Sequence, residues 1–249
     1  RDDRYLQKTI DDLLAKAEGS IEIIVILDGY WPKTLLKNDP RVTILHHGTI
    51  FNNPGMRERI NRGISISRGE FIMKIDEHCM VDKGFDVKLS ADIEDNWVVI
   101  PRRYRLDPEK WEIIEDGRPP IDYLYLAYPG AKKDDLEWGL HGSIWNARFH
   151  QRKDILIDDT MSMQGSCYFT SRKNWDKTIK FLDSSGYGPF TQEAQEIGNK
   201  TWLSGGRLVV NKKTWYAHWH KGKNGKGYGF SNNQYEIHQE NIKNGRKFC

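Results

Sequence analysis

Asp76 and His78 are the residues whose types and spacing first suggest chemistry in this chain. A carboxylate and an imidazole two positions apart point the same way along an extended chain, so both can grip one divalent cation. They follow Phe71 to Ile75, which carry apolar groups at four of five positions, the pattern of a short buried strand. In open α/β sheets ligands bind beyond the carboxyl ends of the strands, which puts Asp76 and His78 on the edge of a crevice. Glu77, between them, alternates away from a shared ion. Glu193 and Glu196 form a second pair, three residues apart and therefore on one helical face, near a helix N-terminus whose dipole favours carboxylates. Residues 215–230 are rich in glycine, lysine and aromatic rings, the composition of a mobile lid. Its Lys221, Lys223 and Lys226 can meet phosphates, and its rings can stack on a sugar or a base. Each feature also has a plain structural explanation: a polar strand end, a first-turn carboxylate pair, a solvated basic loop.

The elements that must position these residues follow from periodicity. Residues 4–18 read as an amphipathic helix, with Leu6, Ile10, Leu13, Leu14 and Ala17 at three- and four-residue steps. Asp2 or Asp3 can cap its start and Gly19 ends it. Ile21 to Leu27 is a β-branched strand closed by Asp28 and Gly29, and Val42 to His46 is another. Pro32 to Asn38 reads as a short helical connector, and a helix from Pro54 to about Ser67 stops at Gly69. Beyond the strand at 71–75 the pattern predicts a helix near 85–94 and a strand at 97–101. It then predicts a strand at 165–170, helices at 174–182 and 192–202, a strand at 207–210 and a glycine-rich basic loop at 217–230. Alternating elements of this length predict an α/β fold with a mostly parallel central sheet flanked by helices. Such folds open on a strand, so a strand upstream of Arg1 is expected.

At 249 residues the chain can bury a substantial core in a single domain. Nine Trp and frequent charges exclude a disordered chain. No apolar run approaches the roughly 20 residues that span a bilayer. Three scattered cysteines are too few for a disulfide framework or a zinc ribbon, which fits a reduced, cytoplasmic setting. The net charge of +3 is unevenly spread: residues 211–249 hold eight Lys or Arg against two Glu. That basic tail suits a diphosphate, a nucleic-acid backbone or bulk water.

Several stretches, in order along nearly the whole chain, resemble one family. Residues 63–79 resemble the nucleotide-sugar segment of glycosyltransferases with the Rossmann-like GT-A fold, of the family-2-like kind. Within that group Asp76, His78 and Cys79 are similar to the Asp-x-His motif of polypeptide N-acetylgalactosaminyltransferases. Residues 21–29 resemble the family's strand ending in Asp-Asp-Gly, with Leu27 in place of the first Asp. Residues 159–169 resemble its Pro-Thr-Met-Ala-Gly-Gly-Leu-Phe stretch. Residues 192–202, followed by Gly205 and Gly206, resemble its Gly-Glu-Asn-Leu-Glu-Ile helix. Ala217 and His218 stand where the family places a third metal ligand.

The resemblance implies a metal-dependent glycosyltransferase that moves a sugar from a nucleoside diphosphate, uridine diphosphate first, to a hydroxyl. Its metal would be held by Asp76, His78 and His218, with His220 a rival for the third position. Oxygen and imidazole ligation in near-octahedral geometry favours Mn²⁺, then Mg²⁺. Asp28 would accept a hydrogen bond from the donor's base or ribose, and Arg57 and Arg59 could meet its nucleoside or diphosphate. Glu193, with Glu196 behind it, would stand by the acceptor hydroxyl, as general base in an inverting enzyme or as organiser in a retaining one. The resemblance leans to retention. It divides the single catalytic domain, 1–249, into a nucleotide-sugar half (1–101), an acceptor half (102–210) and a basic lid and tail (211–249). Acceptors open to such a chain are surface polymers, proteins and hydroxymethylated DNA. The oligomeric state is open. Two rival readings remain: a nucleotidyltransferase that makes a nucleotide sugar, and a non-catalytic nucleic-acid-binding module built on the basic tail.

Overall fold

The structure, a computed structural model, describes residues 4–29, 31–48, 55–126, 142–187 and 192–220. In chain order it begins with α1 (Leu6–Lys16), β1 (Ile23–Leu27), β2 (Val42–His46), α2 (Gly55–Ile66), β3 (Phe71–Ile75) and β4 (Cys79–Val81). Next come α3 (Phe85–Ala91), β5 (Trp97–Asp107), β6 (Glu112–Ile113), β7 (Leu124–Leu126), β8 (Gly142–Ile144), α4 (Asn146–Gln151) and β9 (Ile157–Asp159). β10 (Cys167–Ser171) runs into the one-turn α5 (Arg172–Asn174) and a π-helical turn (Trp175–Ile179). The short α6 (Ser184–Tyr187), α7 (Glu193–Leu203) and β11 (Arg207–His218) complete the described chain.

Four expectations are corrected. Residues 32–38 are not helical but make bends, with the Lys37 N–H held by the Gln7 side chain at 2.8 Å. Seven residues with Leu35 89% exposed have too little burial to offset the cost of nucleating a helix. The expected helix at 174–182 is broken into α5 and the π-turn, which ends at Lys180 with φ of 63°. β11 is 12 residues long and runs through His218, so that His218 ends a strand instead of opening a loop. Finally, the sheet is mixed: its order is β3-β10-β5-β11-β4, and only β5 and β11 run parallel in it. A parallel return needs a crossover, usually a helix, and the chain re-enters at β10 from β9 without one. β1 and β2 pair parallel in a separate two-stranded sheet.

The α/β class and the flanking helices are as expected. The first half of β11 and β5 form the centre of the core, with Leu208, Val209, Val210 and Val98 at 0% exposure. Fully burying such a side chain stabilises by about 1.5–3 kcal/mol. α7 covers one face, close enough that a Cβ on Gly198 would lie 3.2 Å from Leu208 Cδ1. α3 covers the other face, where Asn211 reaches the Lys88 carbonyl. The register of β11 on β5 shifts between Asn211 and Trp215, and the strand then continues to pair with β4.

α1 and β4 do the local positioning. β4 is an edge strand of three residues, and α1 covers it. Thr9 Oγ1 of α1 donates to the Glu77 carbonyl at 2.9 Å and accepts from the Cys79 N–H at 3.1 Å. Asp12 accepts from the Val81 N–H at 2.7 Å, and Lys16 donates to the Val81 carbonyl at 2.8 Å. One helix face thus fixes the turn that carries His78.

Candidate active site

β3 ends at Ile75, and Asp76 continues its ladder by donating its N–H to the Ser166 carbonyl at 3.0 Å. The chain turns through Glu77 and His78 into β4, whose Cys79 pairs with His218 at the end of β11. The Trp219 N–H then donates to the His78 carbonyl at 3.2 Å, and its ring stands edge-on to the His78 ring. Two strand ends 140 residues apart are therefore pinned side by side.

The result is a cluster of three ligand atoms, from Asp76, His78 and His218, all within 4.8 Å of one another. The two Nε2 atoms of His78 and His218 lie 3.0 Å apart, and His218 Nε2 lies 3.3 Å from Asp76 Oδ2. Adjacent donors on an octahedral ion with bonds of about 2.1 Å are about 3.0 Å apart, so the set fits Mn²⁺ or Mg²⁺. His78 and His218 are buried and Asp76 is partly exposed. Burial, reinforced by Arg103 and opposed by the Asp76 hydrogen bond, pushes the His218 imidazole pKa down to about 3. Its ring is therefore neutral at neutral pH and keeps a lone pair. Burial alone would raise the Asp76 carboxyl; Lys74 and the His218 hydrogen bond outweigh it and hold Asp76 well below the usual range. His220, the rival third ligand, is outside this cluster and contacts Arg103.

Four supporting residues carry weaker sequence signals. Lys74, two residues before Asp76, is partly buried and donates to Asp76 Oδ1 and to the Gly165 carbonyl. Burial would lower its ammonium, but the carboxylates of Asp76 and Glu193 hold it above its ordinary value. Glu77 turns out to face His78, with a carboxylate oxygen 3.1 Å from Nδ1. Arg103 Nη2 donates to His218 Nδ1 at 3.1 Å. Gly165 leaves room for the Glu193 carboxylate: an added Cβ would overlap it, with Glu193 Cδ at 2.6 Å. Period-two alternation on β3 would have placed Lys74 with Asp76; nothing local points to the others.

The remaining expected residues divide into groups. Asp28 directly follows β1 and lies 3.7 Å from Arg59 Nη1 on α2, so these two meet. α2 approaches β1 closely enough that a Cβ on Gly63 would sit 2.8 Å from Ile26 Cδ1. Trp31 stacks on His46 beside this strand end, with ring centroids 4.9 Å apart. Arg57 instead reaches Glu196: the two form an ion pair with no exposure of the Arg57 side chain. Lys200 and the Asp183 N–H also hold Glu196, at 2.7 and 3.1 Å. Glu193 faces Gly165 and the Lys74 side, so the first turn of α7 presents two carboxylates to different partners. Lys221, Lys223 and Lys226 lie outside the described residues.

The fold and this site can now be compared with known proteins. The chain resembles GalNAc-T7, solved with UDP, GalNAc and Mn²⁺, with a TM-score of 0.69 and 20% identity, over 91% of this chain and 43% of that one. It also resembles S. aureus TarS 1-349 in complex with UDP-GlcNAc, with a TM-score of 0.55 and 14% identity, over 97% of this chain and 62% of that one. These likenesses establish the GT-A fold. The glycosyltransferase GlyG of Streptococcus pneumoniae serotype 4 (strain ATCC BAA-334 / TIGR4) is 29% identical over 112 residues, 42% of this chain and 36% of GlyG. The chain thus spans well under half of GlyG and of GalNAc-T7. Among the described residues no helix is long and apolar enough to cross a membrane. The model of glycosyl transferase family 2 matches residues 2–180, most of the chain, and on that match the chain belongs to glycosyl transferase family 2.

Proposed function

We propose that this chain is the catalytic domain of a metal-dependent glycosyltransferase that moves a sugar from a uridine diphosphate donor to a hydroxyl, with retention at the anomeric carbon. The observation that carries the reading is the cluster of Asp76, His78 and His218, one carboxylate and two imidazoles at the carboxyl end of β3. Mn²⁺, with Mg²⁺ second, would be held there and would neutralise charge on the departing nucleoside diphosphate. Lys74 keeps Asp76 ionised and ties down Oδ1, leaving Oδ2 toward the His218 ring. A guanidinium only donates, so His218 Nδ1 accepts from Arg103 as the ring stands, and Nε2 carries the proton. Ligation through Nε2 goes with that proton on Nδ1 and the Arg103 N–H turned to His220, which it already reaches.

Asp28 and Arg59 take the nucleoside at the end of β1. Glu193 serves the acceptor side, held against Gly165 and near Lys74, while Glu196 and Arg57 lock the first turn of α7 in place. Lys221, Lys223 and Lys226 follow soon after His218 in sequence and would contact the diphosphate. Retention rests on the likeness of residues 192–202 to the retaining family. The net excess of base in residues 211–249 favours an anionic hydroxyl acceptor, hydroxymethylated DNA ahead of surface polymers and proteins, in a cytoplasmic setting.

A donor-hydrolysis screen across nucleotide sugars with and without Mn²⁺ tests the reading, because it needs no acceptor. Hydrolysis of a UDP-sugar that requires the cation and is lost in Asp76→Ala is expected. Hydrolysis equal in the two proteins would refute the assignment of Asp76, and none with any donor would refute the activity.

A further inference from the structure

Lys74 is a charged residue in a strand that is otherwise apolar, Phe71–Ile75. Placing an ammonium there, with 12% of its side chain exposed, is costly unless hydrogen bonds replace the lost water. Two acceptors do so: Asp76 Oδ1, two residues on, and the Gly165 carbonyl, 91 residues on. The Asp76 pair alone would satisfy the charge, so the reach to Gly165 calls for its own explanation. Gly165 and Ser166 lead into β10, where Cys167 and Tyr168 pair with Ile75 and Lys74. The Ser166 carbonyl accepts from the Asp76 N–H at 3.0 Å, and its hydroxyl bonds the buried Tyr216 hydroxyl at 2.8 Å. Tyr216 stands on β11 two residues before His218. On its other side Gly165 lies against the Glu193 carboxylate, closely enough that a Cβ would sit 2.6 Å from Cδ. Residues 165 and 166 are therefore where the Asp76–His78–His218 cluster and the first turn of α7 meet, and the Lys74 side chain spans that junction.

We infer that Lys74 is a positioning residue that sets the spacing between the cation cluster and the Glu193 carboxylate, by donating to Asp76 and to the Gly165 carbonyl at once. The inference rests on the proposed transfer and adds a residue to it. Orienting Asp76 is half of this role. The other half is the hydrogen bond to Gly165, which makes the side chain a strut between the metal side and the acceptor side. The transferred sugar would lie between the cation that holds its diphosphate and the carboxylate that serves the acceptor. Slack in the strut would shift one against the other, and a displacement of about 1 Å at a reacting group can cost on the order of 100-fold in rate. Lys74 need not touch the donor or the acceptor for this; it acts through Gly165 on Glu193.

A double-mutant cycle of Lys74→Met and Glu193→Gln, read by the rate of UDP-sugar hydrolysis with Mn²⁺, tests this. Lys74→Met should lower the rate about 30- to 100-fold in the wild-type background. In the Glu193→Gln background it should cost less than about 5-fold more, because residues that act as a unit are not additive. A merely structural role would cost the same factor in both backgrounds, and that result overturns the inference, as does a wild-type rate in Lys74→Met. If Lys74→Met does not fold, Lys74→Gln takes its place in the cycle. Amide hydrogen exchange gives a readout that needs no activity. In Lys74→Met, residues 163–168 and 192–197 should both exchange at least about 10-fold faster, since the strut no longer ties one segment to the other. Faster exchange confined to residues 71–78 overturns the inference. Wild-type protein that hydrolyses no donor sinks the transferase reading, and exchange alone then decides whether Lys74 joins the two segments.

Discussion

His78 and His218 face each other with their Nε2 atoms 3.0 Å apart, because Cys79 and His218 are partners in the ladder between β4 and β11. The pairing is antiparallel, so the residue before Cys79 and the residue after His218 also meet, and the Trp219 N–H closes on the His78 carbonyl. The imidazole pair is therefore a product of the sheet, set by backbone hydrogen bonds and by Thr9 of α1.

Glu193 should matter for turnover and not for donor binding. Glu193→Gln keeps the shape and the contact with Gly165 but removes the charge. Donor hydrolysis should fall at least about 100-fold, the scale of a lost general base or transition-state contact. Calorimetric affinity for UDP with Mn²⁺ should stay within about 3-fold. A joint loss of binding and turnover would move Glu193 into the donor site.

Gly165→Ala should reproduce much of that loss from the other side of the contact. The new methyl overlaps the Glu193 carboxylate, which must swing away. A displacement of about 1 Å at a reacting group can cost on the order of 100-fold in rate. Steady-state hydrolysis would show it, with melting lowered only by the cost of overpacking, about 1–3 kcal/mol. Full activity in Gly165→Ala would remove the link between this glycine and Glu193.

The Arg57–Glu196 pair should behave as a buried ion pair. Arg57→Met leaves the Glu196 carboxylate buried with Lys200 as its remaining cation and should cost about 3–5 kcal/mol in urea unfolding. Arg57→Met combined with Glu196→Met should recover most of that, since no uncompensated charge is left. Additive losses in the double variant would argue against charge pairing as the main effect.

Asp158 gives the fold a dependence on pH. Tyr123, Arg148 and Arg152 all bond its carboxylate, at 3.0 to 3.2 Å. Burial would raise this carboxyl, but Arg152, Tyr123 and Arg148 together hold it below its ordinary value. A depressed folded pKa stabilises above the unfolded value of about 3.9, and the contribution disappears as pH falls toward the folded value. Asp158→Asn should cost about 1–3 kcal/mol at pH 7, since Arg152 is partly solvated. Denaturant titrations from pH 7 to pH 3 should show the gap to wild type closing below about pH 4. A gap that stays constant to pH 3 would contradict the assignment.

Much of the scaffold was legible in the sequence because it is locally encoded. β2 and β3 have the predicted bounds, and α2 and α7 lie within a residue or two of theirs, since each is a clean run of one period. The grouping of Asp76, His78 and His218 was also legible, through order along the chain and family likeness. The rest depends on partners far away in sequence. β4 is three residues long and exists because β11 and α1 flank it. The extension of β11 to His218 passes a register shift that interrupts any simple alternation. Arg57 looks like a surface arginine until its partner, Glu196, is known, and Arg103 is one of three arginines in β5 until the sheet shows that it is the buried one, against His218.

The central claim is that His218 and His78 join Asp76 around one divalent cation. Melting temperature followed against Mn²⁺ in the presence of UDP tests it most directly, in wild type, His78→Ala, His218→Ala and His220→Ala. Ligand at about 100 times its Kd stabilises by about 2.7 kcal/mol, or several degrees for a chain of this size. The account predicts that shift in wild type and His220→Ala, and its loss in His78→Ala and His218→Ala. An undiminished shift in His218→Ala would contradict it.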